Sequence, residues 1–403
     1  MSGIGKGQNS QDVQKINRSL VLKVLLREGT TTRAHIAETT ELKKATVTNI
    51  INDFIIWGAV REVGTSTGKS GRRTILIELV KEKYAIICGW LKRNEFIFGV
   101  YDIYGTCLIR ESMTLKADVS GTDVANIMVD CLKKYSDSVS GKKILGVAIA
   151  LPGPYIKKDG KIIVTTGRSQ WTEDDIESRL RESFGEKIFL EHDANAAMMA
   201  EWDLLRQQEE VENMLYVMLG HGVGGGIIEN GRMMTGTLGI AGEMGHMSIS
   251  YNGRKCECGN YGCLETYCTI EAMLADLKEL LPKYPDSICT EKSDFEQVMQ
   301  AYHKGDRLAR KVVSRVAEYL GYAIASSVNL LNPERVIIGD ELPKAAGEEF
   351  LKVVKETVQG RVLPQIYNST QIQMSSLDNS VLQGTCICLL EELVSVPEVF
   401  QRE

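Results

Sequence analysis

The sequence lacks the features that mark membrane, low-complexity and exported proteins. It holds no run of about 18 apolar residues, the length that a membrane helix needs. Only 8 of its 403 residues are proline, which excludes a proline-rich low-complexity chain. Residues 1–19 are polar, without the apolar segment of a signal peptide. The length of 403 residues is enough for two or three domains, and a hydrophobic content of 43% is typical of a globular protein. Together with the missing signals above, this composition leads us to expect a cytoplasmic protein with no membrane partner.

Positive charge is concentrated at the N-terminus, although the chain as a whole is acidic. Residues 1–80 contain 12 Lys and Arg against 7 Asp and Glu, a balance of +5, whereas the whole chain carries −6. The remainder, residues 81–403, therefore carries −11. A basic head on an acidic body indicates that the N-terminal segment binds an anionic partner.

The hydrophobic pattern of residues 1–80 predicts a winged helix-turn-helix DNA-binding domain. Helical spacing over 13–28, 33–39 and 44–57 is followed by two short strands around a Gly/Ser/Thr-rich tip. The first residues of the third helix would enter the major groove, and the wing would contact phosphate or the minor groove. A solvated basic face is the alternative interpretation. The candidate contacts to double-stranded DNA are Lys43, Lys44, Thr46, Thr48, Asn49, Lys69, Arg72 and Arg73.

The rest of the chain shows the same order of elements twice. A three-strand meander followed by alternating helices and strands begins near residue 85, and a similar order begins near residue 214. This repetition predicts an α/β fold of two lobes, 81–190 and 191–403, with a ligand in the cleft between them. The pattern also predicts one helix over 344–358. The C-terminal helix, predicted over 378–394, is a candidate to pack back on the first lobe.

One histidine and three closely spaced cysteines predict a zinc site. One imidazole and three thiolates match the tetrahedral preference of Zn²⁺, and four protein ligands leave no open position, so the expected zinc is structural. A cluster of free thiols is the alternative. Six cysteines elsewhere, Cys107 among them, are interpreted as reduced core residues. The candidate metal ligands are His246, Cys256, Cys258 and Cys263.

Carboxylates near this cluster and after a predicted strand are candidates to bind a ligand. Glu243 and Glu265 flank the metal ligands, and Asp193 follows the strand predicted over 187–190. A carboxylate at the end of a strand is well placed as a base or as a hydroxyl acceptor. A helix N-cap is an equally good explanation of Asp193. The glycine-rich turn 219–226 would present backbone N–H groups to a ligand, but such hairpins are also common without one.

Together these segments resemble the ROK family of sugar kinases and sugar-responsive repressors, over residues 81–403. The resemblance implies an actin-like two-lobe fold, a duplication of the ribonuclease H type. It also implies that Asp193, Glu243, His246 and Glu265 contact sugar hydroxyls, with His246 a zinc ligand as well. Residues 33–37, 46–51 and 71–73 resemble the DNA-binding head of the family's repressor branch. The matching pieces of the body are 152–154, 192–197, 219–226, 241–246, 256–265 and 332–334.

Two departures from the family pattern argue against phosphoryl transfer. Where the family's kinases hold Asp-x-Gly-Gly-Thr around the ATP phosphates, this chain reads Ile87-Cys88-Gly89-Trp90-Leu91-Lys92. Asp340 stands where the family usually has a second glycine beside the nucleotide. Because phosphoryl transfer depends on positioning and charge stabilisation, both changes favour a non-enzymatic protein.

The sequence therefore predicts a sugar-responsive transcriptional regulator, a repressor of carbohydrate-utilisation genes. Its partners would be an operator DNA, a sugar or sugar phosphate in the cleft, and further copies of the chain in a dimer or tetramer. The alternative is an ATP-dependent sugar kinase with a DNA-binding appendage, in which Asp193 would be the catalytic base.

Overall fold

The computed structural model describes residues 10–67, 73–116, 119–139, 141–153, 155–156, 161–162 and 173–401. Two of the candidate DNA contacts, Lys69 and Arg72, lie outside these residues. Within them, no helix combines the length and the apolar character needed to cross a membrane.

The N-terminal head consists of three helices and a small antiparallel sheet of order β1-β3-β2. Gly29, with φ +68°, ends the first helix, and the Thr32 hydroxyl caps the second by accepting a hydrogen bond from the His35 N–H. The fully buried side chains Leu25, Val47 and Phe54 pack between the helices. The elements are α1 (Ser10–Glu28), β1 (Thr31–Thr32), α2 (Arg33–Thr40), α3 (Lys44–Ile56), β2 (Val60–Thr67) and β3 (Arg73–Leu79).

The first lobe is built on a five-stranded sheet of order β10-β7-β4-β5-β6. Strands β4, β5 and β6 pair antiparallel as a meander, whereas β4, β7 and β10 pair parallel through helical crossovers. The elements are β4 (Tyr84–Leu91), β5 (Glu95–Tyr101), β6 (Cys107–Thr114), α4 (Gly121–Ser138), β7 (Lys143–Leu151), a hairpin of β8 (Tyr155–Ile156) and β9 (Lys161–Ile162), α5 (Glu173–Phe184) and β10 (Ile188–His192).

The second lobe is built on a sheet of order β13-β12-β11-β14-β15. Its strands are β11 (Met214–Leu219), β12 (Val223–Glu229), β13 (Arg232–Met233), β14 (Arg335–Gly339) and β15 (Gln371–Met374). The helices that follow the meander are α7 (Glu265–Cys268), α8 (Ile270–Leu280), α9 (Phe295–His303), α10 (Arg307–Leu331), α11 (Glu341–Ala346), α12 (Glu348–Gln359) and α13 (Pro364–Ser369).

The two sheets share one topology, which confirms the predicted duplication and the α/β two-lobe fold class. Across each sheet, the three strands of an antiparallel meander lie side by side in the order third, second, first. Two parallel strands then continue the sheet beside the first meander strand. The domain limits at residues 80 and 190 stay predictions.

Two further helices lie between the sheets. Helix α6 (Asp193–Arg206) packs on β11 and β12 of the second lobe, and helix α14 (Ser380–Leu393) packs on β4 and β7 of the first lobe. The two helices also pack against each other along their length. This helix pair joins the lobes beneath the cleft.

Several local predictions were wrong. The helix predicted over 344–358 is two helices, because Gly347 has φ +72° and interrupts the helical backbone. Cys107 is exposed on the edge strand β6, although it was predicted to be a core residue. Helix α6 was not predicted, since its run of small and sulfur-containing residues is buried too evenly to show a polar face.

Candidate functional site

The cleft between the lobes collects all four predicted sugar contacts. Asp193, Glu243, His246 and Glu265 line one cavity together with Trp90 of the first lobe. The first lobe supplies the end of β4, and the second lobe supplies the β11–β12 turn and the loops before α7 and α11. Parallel strands ending at the same edge of a sheet open such a crevice.

Asp193 is the first residue of α6, directly after β10. His192 occupies the N-cap position, and its side chain makes no capping hydrogen bond, so Asp193 is not the N-cap. The Asp193 Oδ1 atom accepts a hydrogen bond from the Ala194 N–H at 2.8 Å and lies 3.3 Å from His192 Nε2. Burial raises the pKa of Asp193, and the nearby His192 opposes that shift. The Asp193 carboxylate is therefore held in place, and its oxygens can accept further hydrogen bonds from a ligand.

The other three predicted sugar contacts form a second group in the same cavity. Glu265 is buried, and its Oε1 atom lies 3.4 Å from His246 Nδ1. Burial raises the pKa of Glu243, against the opposing effects of His192 and His246. Carboxylates and imidazoles facing one cavity are the hydrogen-bonding groups that a polyhydroxy ligand requires.

His246 and three cysteines lie close enough together to hold a metal ion. One donor atom from each of these four residues, His246, Cys256, Cys258 and Cys263, lies within 4.8 Å of all the others. The Cys258 and Cys263 sulfurs are 3.8 Å apart. Two thiolates bound to one tetrahedral zinc at about 2.3 Å would be about 3.8 Å apart, so the donor set fits Zn²⁺. Cys268 is buried elsewhere and donates its S–H toward the Val316 carbonyl.

The glycine run of β12 permits close packing of the backbone. A Cβ atom on Gly225 would lie 2.6 Å from the Gly242 carbonyl oxygen, and one on Gly226 would lie 2.8 Å from the Met198 Cβ. Side chains here would therefore push β12 away from α6 and from the loop that carries Glu243. This packing accounts for the glycines without a phosphate ligand.

The segment that sequence analysis compared with the kinase phosphate turn makes contacts to other protein groups at the cleft. The Trp90 indole N–H points to Asp193 Oδ2 at 3.5 Å, and the Lys92 ammonium lies 4.7 Å from the centre of the Trp90 ring. Asp340 has φ +81°, and burial raises its pKa to about 6. A Cβ atom on Gly220 would lie 2.6 Å from Asp340 Oδ2, so this carboxyl closes against the β11–β12 turn.

An ionic cluster that sequence analysis missed joins the lobes at the cleft rim. Arg93 of the first lobe lies 2.5 Å from Glu271 of the second, and Lys92 lies 4.0 Å from Glu341. His221 contacts both acids, with Nδ1 2.8 Å from Glu271 and Nε2 3.9 Å from Glu341. The hydrogen bond with Glu271 raises the pKa of His221. No spacing pattern in the sequence indicates these contacts, because the partners are about 50 to 250 residues apart.

The candidate DNA contacts that the structure describes lie on one end of α3 and on β3. Lys43, Lys44, Thr48 and Asn49 are exposed, whereas Thr46 is half-buried. The Thr48 hydroxyl donates to the Lys44 carbonyl at 2.9 Å. Arg73 is exposed at the start of β3. The start of α3 thus presents two lysines and an amide to solvent.

The ROK family model matches residues 93–392 of this chain. The chain belongs to the ROK family. This result confirms the resemblance found in the sequence, and the four predicted sugar contacts and the Cys/His cluster lie in the matched region.

Relatives of this ROK protein extend the match into its N-terminal head. The xylose repressor of Caldicellulosiruptor bescii is 30% identical over 96% of this chain and 98% of its own length. The DNA-binding transcriptional dual regulator NagC of Escherichia coli K12 is 28% identical over 91% of this chain and 90% of its own length. A crystal structure of a ROK family transcriptional regulator, a homologue of the E. coli MLC protein, shares the fold, with 22% identity, a TM-score of 0.80, and coverage of 96% of this chain and 98% of that chain.

Proposed function

We propose that this ROK protein is a sugar-responsive DNA-binding transcriptional regulator that represses carbohydrate-utilisation genes. The observation that carries the proposal is that one chain combines a winged helix-turn-helix head with a cleft lined by Asp193, Glu243, His246 and Glu265. The relatives named as repressors match this chain along both parts. A second copy of the chain, in a dimer, would present two heads to a palindromic operator.

In this proposal Asp193 accepts a hydrogen bond from a sugar hydroxyl and removes no proton. Trp90 and Asp340 occupy the side of the cleft where the family's kinases hold phosphates, and a buried carboxyl repels a polyphosphate. Positioning of the phosphoryl group, the main requirement of that reaction, is therefore absent. The cleft binds a ligand and does not transform it.

A structural zinc ion would be held by His246, Cys256, Cys258 and Cys263. The metal would cross-link the loop between β13 and α7. Because four protein ligands would complete its coordination, no open coordination position would remain for a reaction. The Cys256 sulfur lies 2.8 Å from Oε1 of Glu265, the first residue of α7, so this loop contacts a predicted sugar-binding residue. Ordering of this loop by the metal would fix Glu265 and His246 at the cleft.

Sugar binding would then change the equilibrium between open and closed lobes. A ligand that touches Asp193, Glu243, His246 and Glu265 of the second lobe and also the Trp90 side of the cavity, in the first lobe, favours the closed cleft by its additional contacts. If the closed cleft and the operator-bound arrangement differ in the position of the heads, sugar and DNA affect each other's affinity reciprocally.

The test is fluorescence anisotropy of a labelled fragment of the gene's own upstream DNA. We expect binding that weakens steeply with salt and is released by one of D-xylose, D-glucose, N-acetylglucosamine or the 6-phosphates of the last two. The control is an unrelated fragment of equal length and base composition. Absence of specific DNA binding, together with ATP-dependent phosphorylation of one of these sugars, would establish the kinase alternative.

A further inference from the structure

The sugar cleft is connected to the DNA-binding head by one pair of helices. Helix α6 begins with Asp193 in the cleft and ends at Arg206, at the far side of the molecule. Helix α14 lies against it so closely that a Cβ atom on Gly384 would be 1.6 Å from the Ala196 carbonyl oxygen. Because the two backbones touch, α6 and α14 shift together when Asp193 moves.

At the far end of this pair, one carboxylate is shared with the head. Glu391 of α14 accepts a hydrogen bond from Arg206 of α6 at 3.4 Å through Oε1, and its Oε2 atom lies 3.6 Å from the Lys23 ammonium of α1. Arg206 itself is fixed by two hydrogen bonds to Asp203 and by stacking on Trp202, at 4.6 Å. Glu391 therefore contacts Arg206 of α6 through one carboxylate oxygen and Lys23 of α1 through the other.

The apolar residues beneath these ion pairs are continuous. Val21 and Leu25 of α1 belong to the same buried cluster as Ile387 and Leu390 of α14. Just after α14, Glu398 lies 3.5 Å from Arg18, a second contact between the C-terminal segment and α1. The head is thus joined to the C-terminal segment by two ion pairs and by a shared hydrophobic cluster.

We propose that Glu391 is a positioning residue that couples the sugar cleft to the DNA-binding head. The inference rests on the proposed function, because it assigns the route by which a bound sugar changes operator affinity. A joint shift of α6 and α14 relative to the head displaces Glu391, which Arg206 holds, and changes the Glu391–Lys23 pair. Helix α1 packs on α2 and α3, so the same change reaches the DNA-contacting helix.

The experiment compares the full-length protein with its Glu391→Gln variant and a matched control, Glu392→Gln. Glu392 is the next residue, is exposed and loses the same charge. For each protein, the Kd for upstream DNA is measured by anisotropy with and without each sugar of the panel, and the Kd for the sugar is measured by calorimetry. The ratio of the two DNA Kd values is the coupling factor.

We expect Glu391→Gln to lower the coupling factor at least about threefold, while the sugar Kd and the sugar-free DNA Kd stay within about twofold of the wild-type values. Glu392→Gln should leave all three quantities unchanged. Lys23→Gln should lower the coupling factor as well, and the double variant Lys23→Gln/Glu391→Gln should be no worse than either single variant. Lys23 is an exposed side chain, so its variant keeps the test available if Glu391→Gln fails to fold.

Two outcomes would overturn the inference and are distinct from failure of the proposed function. An unchanged coupling factor in Glu391→Gln, with a large factor in the wild type, would show that coupling takes another route. Equal weakening of DNA binding with and without sugar would show that Glu391 only supports the head. If no sugar of the panel changed the DNA affinity of the wild-type protein, the proposed function would be refuted, and the inference with it.

Discussion

The indole nitrogen of Trp90 lies 3.5 Å from Oδ2 of Asp193, across the boundary between the two lobes. The same carboxylate also accepts a hydrogen bond from its own helix, through Oδ1. The Trp90 indole therefore donates to the carboxylate that we propose as a sugar contact. Trp90 itself lies in the segment that sequence analysis compared with the phosphate-binding turn of the family's kinases.

We predict that Asp193→Asn weakens sugar binding about 10- to 100-fold. The substitution removes a charged acceptor, and a hydrogen bond to a charged group contributes about 1.5–3 kcal/mol. DNA binding without sugar should be unchanged, because Asp193 is far from the head in sequence and lies in the cleft. Calorimetry with the effective sugar is the measurement, and Asp130→Asn, an exposed site on α4, is the control. Equal sugar affinity in wild type and Asp193→Asn would remove Asp193 from the site.

We predict that Asp340→Gly stabilises the protein by about 1 kcal/mol. Asp340 has φ +81° and ψ −167°, a backbone region that is almost restricted to glycine and costs a non-glycine residue about 1–3 kcal/mol. Glycine relieves that strain but gains entropy in the unfolded chain. Urea denaturation measures the free energy of unfolding. Asp340→Ala is the control, since it removes the carboxyl and keeps the strained backbone, so an equal gain in both variants would contradict the explanation by strain.

We predict that Cys258→Ser releases one equivalent of zinc and lowers the thermal midpoint of unfolding. A loss of at least about 2 kcal/mol in the second lobe corresponds to a fall of about 4–8 °C. Elemental analysis and calorimetric scans are the measurements. Cys107→Ser is the matched control, because Cys107 is an exposed thiol outside the cluster. Wild-type protein without zinc, or a variant with full thermal stability and sugar binding, would disprove a structural zinc.

We predict that Lys44→Ala weakens operator binding and lowers the slope of log K against log salt by about 1. Lys44 is exposed at the first position of α3, where a lysine would neutralise one phosphate. Anisotropy titrations at several salt concentrations measure the slope. Lys311→Ala, at an exposed lysine of α10, should leave it unchanged. The same slope in both variants would place the DNA interface elsewhere on the head.

We predict that the stability contributed by His221 is lost as the pH rises from 6.5 through the raised pKa of the folded state. The hydrogen bond to Glu271 raises the pKa of His221 in the folded state above its ordinary value of 6.5. Its contribution is therefore fully present below about pH 6.5 and disappears as the pH passes the folded pKa. Thermal midpoints between pH 5.5 and 8.5 should fall more in the wild type than in His221→Asn. Parallel curves for the two proteins would show that this pair does not contribute to stability.

The sequence predicted the fold class because each element carried its own local signal. Periodic apolar residues and helix-ending glycines marked the head, and the repeated meander marked both lobes. Helix α6 gave no such signal. It packs between β11, β12 and α14, so most of its residues are buried and its sequence shows no separate polar face. Gly347 was overlooked as the break between α11 and α12, since a single glycine is tolerated inside a helical pattern.

The sequence by itself determined the family, the two-lobe fold class and the donor types of the metal cluster, because these depend on residue identity and short spacing. Only the tertiary structure decided which side chains meet. Asp193 reaches Trp90 across 103 positions of sequence, Arg93 reaches Glu271 across 178, and Arg206 reaches Glu391 across 185. Such contacts follow from how two sheets and two helices pack, and packing depends on the whole chain at once.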